Sequence, residues 1–160
     1  MLDIKKDILP LKNVMYRLAL RITLNSQEAE DVVQDVIIKL WKSRDSLGEV
    51  RNLEAYALRM VRNLAFDRQR MGVNNTEDID GKDFDSGHSI EQTLEQQEKI
   101  DTIRELMSNL PEKQRTAMQL RDFEGKQYKE IADIMEITED QVKVCIFRAR
   151  QYIKNNINKF

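Results

Sequence analysis

The sequence predicts an all-α protein with two small helical domains joined by a flexible acidic linker, the second domain containing a helix-turn-helix. Residues that break helices are rare, with five Gly and two Pro among 160 residues. Apolar residues recur at helical spacing in both halves of the chain, and this spacing is lost between residues 73 and 90. We therefore predict domains at 1–72 and 91–160, with 73–90 as the linker.

The composition argues against several classes of protein. The chain has one Cys, Cys145, and one His, His88, which excludes an internal disulfide and makes a structural zinc site unexpected. No apolar run is long enough to span a membrane, and the first residues have no signal-peptide core. No phosphate-binding loop or nucleophile-elbow motif is present. We expect a cytosolic protein that is not an enzyme and needs no metal or cofactor.

Charge is distributed unevenly along the chain. Residues 1–72 carry a net charge of +3, residues 73–100 carry −6, and residues 101–160 carry +1, which together give the total of −2. The acidic middle is interpreted first as a solvated linker. The alternative is an acidic strip that imitates nucleic acid or lies in a basic channel of a partner.

Three helices are predicted in the first domain. The first covers residues 4–21, with Pro10 disturbing its first turn, and the second begins after Asn25, which with Glu28 forms a capping-box pattern. The third runs from a cap at Asn52 to Met71. Opposite its apolar stripe, the second helix carries an acidic stripe, which on spacing alone is a solvated face. The third helix carries a basic stripe containing one aromatic residue.

Four helices are predicted in the second domain, at about residues 91–109, 112–122, 128–135 and 139–156. A three-residue connection, 136–138, joins a short helix to a longer basic one, which is the spacing of a helix-turn-helix. Val144 and Phe147 are apolar residues on the outer face of the last helix. A DNA major groove explains them, since apolar side chains can pack on thymine methyl groups. Packing of Phe147 on a neighbouring helix is the alternative.

These blocks resemble the extracytoplasmic-function (ECF) class of bacterial RNA polymerase sigma factors. EAEDVVQDVIIKLW at 28–41 is similar to their polymerase-binding helix in region 2. NLEAYALRMVRNLAFDRQR at 52–70 is similar to the helix that recognises the minus-ten element. The segment 110–154, with LPEKQR, EIA, VK and RAR in order, is similar to region 4, which recognises the minus-thirty-five element.

The resemblance implies a role for each exposed stripe. The residues expected to dock on core RNA polymerase are Asp31, Gln34, Asp35 and Ile38. The residues expected to capture single-stranded minus-ten DNA are Arg59, Arg62, Asn63, Phe66, Arg68 and Arg70. The residues expected to contact duplex minus-thirty-five DNA are Gln141, Lys143, Val144, Phe147 and Arg148. Arginines neutralise phosphates, amides contact base edges and aromatic rings stack on unpaired bases.

The resemblance further implies a dissociable specificity subunit that directs promoter-specific transcription initiation and is controlled by a cognate anti-sigma factor. Its partners would be core RNA polymerase and promoter DNA, with no small-molecule substrate and no membrane insertion, and the free protein would be a monomer. Two alternatives stay open on the residues alone. One is a stand-alone helix-turn-helix regulator, which binds its operator tightly without polymerase. The other is a helical adaptor that does not bind DNA.

Overall fold

The computed structural model describes residues 2–71 and 93–159, and all of its regular secondary structure over these residues is helical. The predicted linker at 73–90 lies outside the described residues. Within the described ranges, none of the helices combines the length and the apolar character needed to cross a membrane. The predicted all-α class is confirmed. The described residues form seven α-helices: α1 Lys12–Thr23, α2 Ser26–Lys42, α3 Leu53–Met71, α4 Leu94–Met107, α5 Glu112–Met118, α6 Tyr128–Met135 and α7 Glu139–Asn156.

In the first half, α1 packs against both α2 and α3. The predicted first helix is interrupted, because a π-helical turn at Ile4–Ile8 and a 3₁₀ turn at Leu9–Leu11 precede α1. Pro10 lies in the 3₁₀ turn, and its missing N–H and fixed φ prevent a continuous α-helix there. The two predicted caps are confirmed: Asn25 Oδ1 accepts the Glu28 N–H at 2.9 Å, and Asn52 Oδ1 accepts the Ala55 N–H at 3.0 Å.

In the second half, α4, α5 and α6 all pack against α7. The helix-turn-helix has the predicted bounds, with Glu136 in the left-handed conformation at φ 57° where α6 ends. Thr138 and Gln141 then form a reciprocal capping box that begins α7. The predicted helix at 112–122 is an α-helix only to Met118, and a π-helical segment, Gln119–Phe123, completes it.

The two halves pack against one another, α3 against α6 and α1 against α5. Buried residues of both halves, including Leu58, Val61, Ile131 and Ile134, belong to a single apolar cluster. Arg115 also joins the halves through hydrogen bonds. Its Nη1 donates to the Leu110 carbonyl of its own half at 2.9 Å, and its Nη2 donates to the Ile22 carbonyl of the first half at 3.1 Å. We call this contact surface the seam.

Candidate nucleic-acid and protein interfaces

The first candidate interface is the acidic face of α2, formed by Asp31, Gln34, Asp35 and Ile38. The apolar stripe of α2 is buried against α1 and α3, which leaves this opposite stripe facing solvent. The side chains of Asp31 and Asp35 are 61% and 44% exposed. The helix therefore brings the four predicted docking residues together on one accessible surface.

Arg68 of α3 lies against this acidic face. Its Nη2 donates to Asp35 Oδ2 at 2.9 Å, and its Nη1 lies 3.2 Å from Glu28 Oε2 and 3.5 Å from Asp31 Oδ2. Partial burial pulls the pKa of Arg68 down, but the hydrogen bond to Glu28 and the three nearby carboxylates outweigh it, so the pKa is raised. Arg68 thus contacts two predicted docking residues, although the sequence assigned it to DNA.

Two large apolar side chains are exposed on this side of α2, Ile38 within the acidic face and Trp41 beside it. Ile38 is 49% exposed and Trp41, one turn further along the helix, is 38% exposed. The guanidinium of Arg44 lies 4.1 Å from the centre of the Trp41 ring. The sequence prediction did not include Trp41 in this face. Trp41 lies three residues after Ile38 and outside the apolar stripe of α2, and this spacing is the sequence signal that could have placed it on the same face.

The second candidate interface is the basic face of α3, formed by Arg59, Arg62, Asn63, Phe66 and Arg70. Three of these side chains contact acidic residues across the seam. Arg62 donates to both oxygens of Glu112, at 2.8 and 3.3 Å, and the two side chains are only 11% and 7% exposed. Arg59 donates to the Asp133 carboxylate at 2.9 Å, and Asn63 Nδ2 donates to Glu136 Oε1 at 3.3 Å.

The remaining residues of this basic face contact one another. Arg62 and Arg70 place their guanidinium carbons 5.0 and 5.6 Å from the centre of the Phe66 ring. Phe66 is half-buried and Arg70 is exposed. Beside Arg59 there is an open groove of about 650 Å³, which residues of both α3 and α6 line. Three of the six residues predicted to capture minus-ten DNA, namely Arg59, Arg62 and Asn63, therefore lie at the seam.

Two further ion pairs join the halves. Arg17 of α1 makes a two-bond pair with Glu124, each bond 2.8 Å long, and Gln119 Nε2 also donates to Glu124 at 3.0 Å. Lys126 bonds to Glu54. In four of the ion pairs that cross the seam among the described residues, the arginine belongs to the first half and the carboxylate to the second.

The third candidate interface is the exposed face of α7, formed by Gln141, Lys143, Val144, Phe147 and Arg148. Val144 and Phe147 are 46% and 63% exposed, so Phe147 does not pack into the core as the alternative required. Lys143 and Arg148 are exposed, and no ion pair joins Arg148 to another residue of the described ranges. Gln141 differs from the others because its side chain accepts the Thr138 N–H at 2.9 Å.

Residues 2–71 and 93–159 contain no group of three or more His, Cys, Asp or Glu side chains that could hold a metal ion. Cys145 is half-buried on α7, and burial raises the pKa of its thiol. The structure instead presents the exposed acidic face of α2, the basic face of α3 with its aromatic residue, and a helix-turn-helix. This combination is that of a nucleic-acid-binding protein with a separate surface for a protein partner.

Comparison with known proteins makes the class specific. The family model described as "Sigma-70 region 2" matches residues 8–72, and "Sigma-70, region 4" matches residues 100–153. The RNA polymerase sigma-H factor of Pseudomonas aeruginosa is 31% identical over 92% of this chain and 83% of its own length. The ECF RNA polymerase sigma-E factor of Escherichia coli is 29% identical over 82% of this chain and 75% of its own length. This chain belongs to the ECF class of sigma factors.

Solved structures have the same fold. The sigma factor RpoE of Bartonella quintana, in complex with the anti-sigma factor NepR, matches with a TM-score of 0.76 and 24% identity, over 98% of this chain and 97% of that one. CnrH, in complex with the cytosolic domain of CnrY, matches with a TM-score of 0.65 and 18% identity, over 91% of this chain and 80% of that one. The first match extends over both halves of the chain.

Proposed function

We propose that this protein is a dissociable sigma factor whose two halves divide promoter recognition between them. Residues 1–72 would dock on core RNA polymerase and capture the minus-ten strand, and residues 91–160 would bind the minus-thirty-five duplex. The observation that carries the proposal is that the matches to regions 2 and 4 fall on the two halves that contain these faces. The role involves binding without bond chemistry, and it places the protein in the cytoplasm with polymerase and DNA.

The acidic face of α2 is the proposed polymerase-docking surface. Asp31, Gln34 and Asp35 offer carboxylate and amide oxygens to basic side chains of the partner, and Ile38 adds an exposed apolar contact. Trp41 extends the same surface, and its aromatic ring is of the kind that contributes strongly to binding at protein interfaces.

The proposed minus-ten contacts are Arg59, Arg62, Asn63, Phe66 and Arg70. In the structure, three of these five side chains donate hydrogen bonds to carboxylates of the second half, those of Glu112, Asp133 and Glu136. Minus-ten DNA and the second half would compete for the same donors. We therefore expect the seam to open before the minus-ten strand is captured.

The proposed minus-thirty-five contacts lie on the exposed face of α7. Lys143 and Arg148 would reach phosphates or base edges, while Val144 and Phe147 would contact thymine methyl groups. Gln141 at the start of α7 would approach the DNA with its amide N–H₂ group, since its oxygen is used in the cap. We expect the protein alone to bind DNA weakly, because this face has few basic side chains and the affinity depends on the number of phosphates that are neutralised.

The experiment that tests the proposal is transcription by core RNA polymerase from the source organism, with and without the protein, on random-sequence templates. We expect selective initiation with wild-type protein and its loss when Asp31→Ala and Gln34→Ala are combined. The matched control is Gln97→Ala with Asp101→Ala, which removes the same residue types from α4. Tight, sequence-specific DNA binding by the pure protein, without selective initiation, would instead establish the stand-alone regulator.

We also infer that an anti-sigma protein controls this chain. The support is that the structures of RpoE and CnrH are complexes with the anti-sigma factor NepR and with the cytosolic domain of CnrY. The anti-sigma protein of this chain would cover the acidic face of α2 or the exposed face of α7. Adding it to the transcription reaction should reduce selective initiation, and excess sigma factor should restore it.

A further inference from the structure

Arg68 lies on α3, but its side chain turns away from the basic face of α3. The side chain is 28% exposed, and its guanidinium lies among three carboxylates of α2, those of Glu28, Asp31 and Asp35. Two of these belong to the acidic face of α2. The contacts of Arg68 therefore connect it with the proposed polymerase-docking surface.

Arg68 contacts each of the three carboxylates without enclosing them. It lies 3.2 Å from Oε2 of Glu28, 3.5 Å from Oδ2 of Asp31 and 2.9 Å from Oδ2 of Asp35. The Asp31 and Asp35 side chains are still 61% and 44% exposed, so both stay accessible to a partner. One positive and three negative charges leave this cluster negative, so it still attracts a basic surface.

Without a cation between them, these three carboxylates would repel one another along one side of α2, because they are spaced by three and four residues. They would also sample many side-chain conformations in solution. An arginine fork fixes carboxylates well because its donors have a rigid, planar geometry. Arg68 thus sets the positions from which Asp31 and Asp35 meet a partner.

The same geometry disfavours contact between Arg68 and DNA. To bind a phosphate, the guanidinium would have to leave three carboxylates, or the phosphate would have to approach those carboxylates closely. Either step is electrostatically costly. Arg70, two residues further along α3, is exposed and has no such acidic surroundings among the described ion pairs.

We propose that Arg68 is a positioning residue of the polymerase-docking surface, where it orders Asp31 and Asp35 for contact with basic side chains of core RNA polymerase. This inference rests on the proposed function and goes beyond it by moving Arg68 from the DNA contacts to the protein contacts. Ordering two acidic side chains in advance reduces the entropy lost when the partner binds.

The test measures binding of the full-length protein to core RNA polymerase without DNA, and then open-complex formation on a promoter at saturating core enzyme. We expect Arg68→Gln to weaken core binding by about five- to thirtyfold. Arg68→Lys, which keeps the charge but loses the fork, should fall between Arg68→Gln and wild type. Once core is saturating, both variants should form open complexes as wild type does. Arg70→Gln is the matched control and should show the reverse pattern, with normal core binding and fewer open complexes.

Core binding by Arg68→Gln within twofold of wild type, or tighter than wild type, would overturn the inference. So would an open-complex defect that persists at saturating core. If the wild-type protein failed to bind core, the proposed function itself would be wrong, and this assignment with it. Thermal unfolding of each variant shows whether a loss of binding reflects a loss of folding, and Arg68→Lys keeps the test valid if Arg68→Gln does not fold.

Discussion

Replacing Arg62 and Glu112 by Ala, singly and together, measures how firmly the seam holds the halves together. The two side chains make two hydrogen bonds, at 2.8 and 3.3 Å, and the Thr116 hydroxyl donates to the same carboxylate at 2.6 Å. With only 11% and 7% of their surfaces exposed, the partners are largely shielded from solvent. Each single variant leaves the remaining charged side chain largely buried and without its oppositely charged partner, which destabilises the folded state.

The coupling energy between Arg62 and Glu112 should lie between the values for exposed and for fully buried ion pairs. Exposed ion pairs contribute about 0.2–1 kcal/mol, and breaking a fully buried pair costs about 3–5 kcal/mol. For a pair this shielded, with charge-assisted bonds, we expect a coupling energy of about 1.5–3 kcal/mol. Urea unfolding of wild type, both single variants and the double variant yields the coupling energy from the four free energies of unfolding.

Arg59 and Asp133 provide the matched control across the same seam. Their side chains are 35% and 65% exposed, so their coupling energy should be about 0.2–1 kcal/mol. A coupling energy below about 0.5 kcal/mol for Arg62 and Glu112, which is within the additivity expected of distant sites, would contradict the reasoning. It would mean that these side chains do not meet in solution and that the seam is open.

Four other outcomes follow from local features. Thr138→Ala should lower the free energy of unfolding by about 1 kcal/mol, because it removes the side-chain cap of α7. Gln127→Ser should raise the free energy of unfolding, because the Gln127 side chain makes no cap hydrogen bond at the start of α6 and a serine can make one. Urea unfolding measures both changes. The raised pKa of Cys145 reduces its thiolate fraction at pH 8, so iodoacetamide should alkylate it more slowly than a free thiol, by mass spectrometry, and faster alkylation would contradict the burial. Phe147→Ala should change the free energy of unfolding by less than about 0.5 kcal/mol. It should nevertheless reduce transcription from promoters with a minus-thirty-five element about five- to tenfold. An equal loss on promoters without that element would refute the contact between Phe147 and a base.

Most of the fold was predictable because its signals are local. The caps at Asn25, Asn52 and Thr138 mark helix starts by residue type alone, and the apolar spacing between caps identifies the buried stripes. The helix-turn-helix was placed to the residue for the same reason. The break before α1 was harder to place, because Pro10 signals a disturbance without specifying the π and 3₁₀ turns that result.

The exposed stripes were also predictable, but their intramolecular partners were not. Arg62 and Glu112 are 50 residues apart, and Arg17 and Glu124 are 107 residues apart. Such pairs leave no periodic pattern, because each charged residue alone is indistinguishable from a solvated one. Arg68 illustrates the same limit, since its position on α3 suggested DNA while its contacts lie on α2.

The seam has a consequence for the way the two halves are inherited. The first half contributes arginines that are largely enclosed by the second half, at Arg17 and Arg62, and the second half contributes the matching acids at Glu124 and Glu112. A hybrid that joined this first half to the second half of another sigma factor would keep the helices of both parents. It would enclose an uncompensated arginine wherever the new half lacked an acid at the matching position. Recombination between such genes therefore requires compatible charges at the seam as well as intact domains.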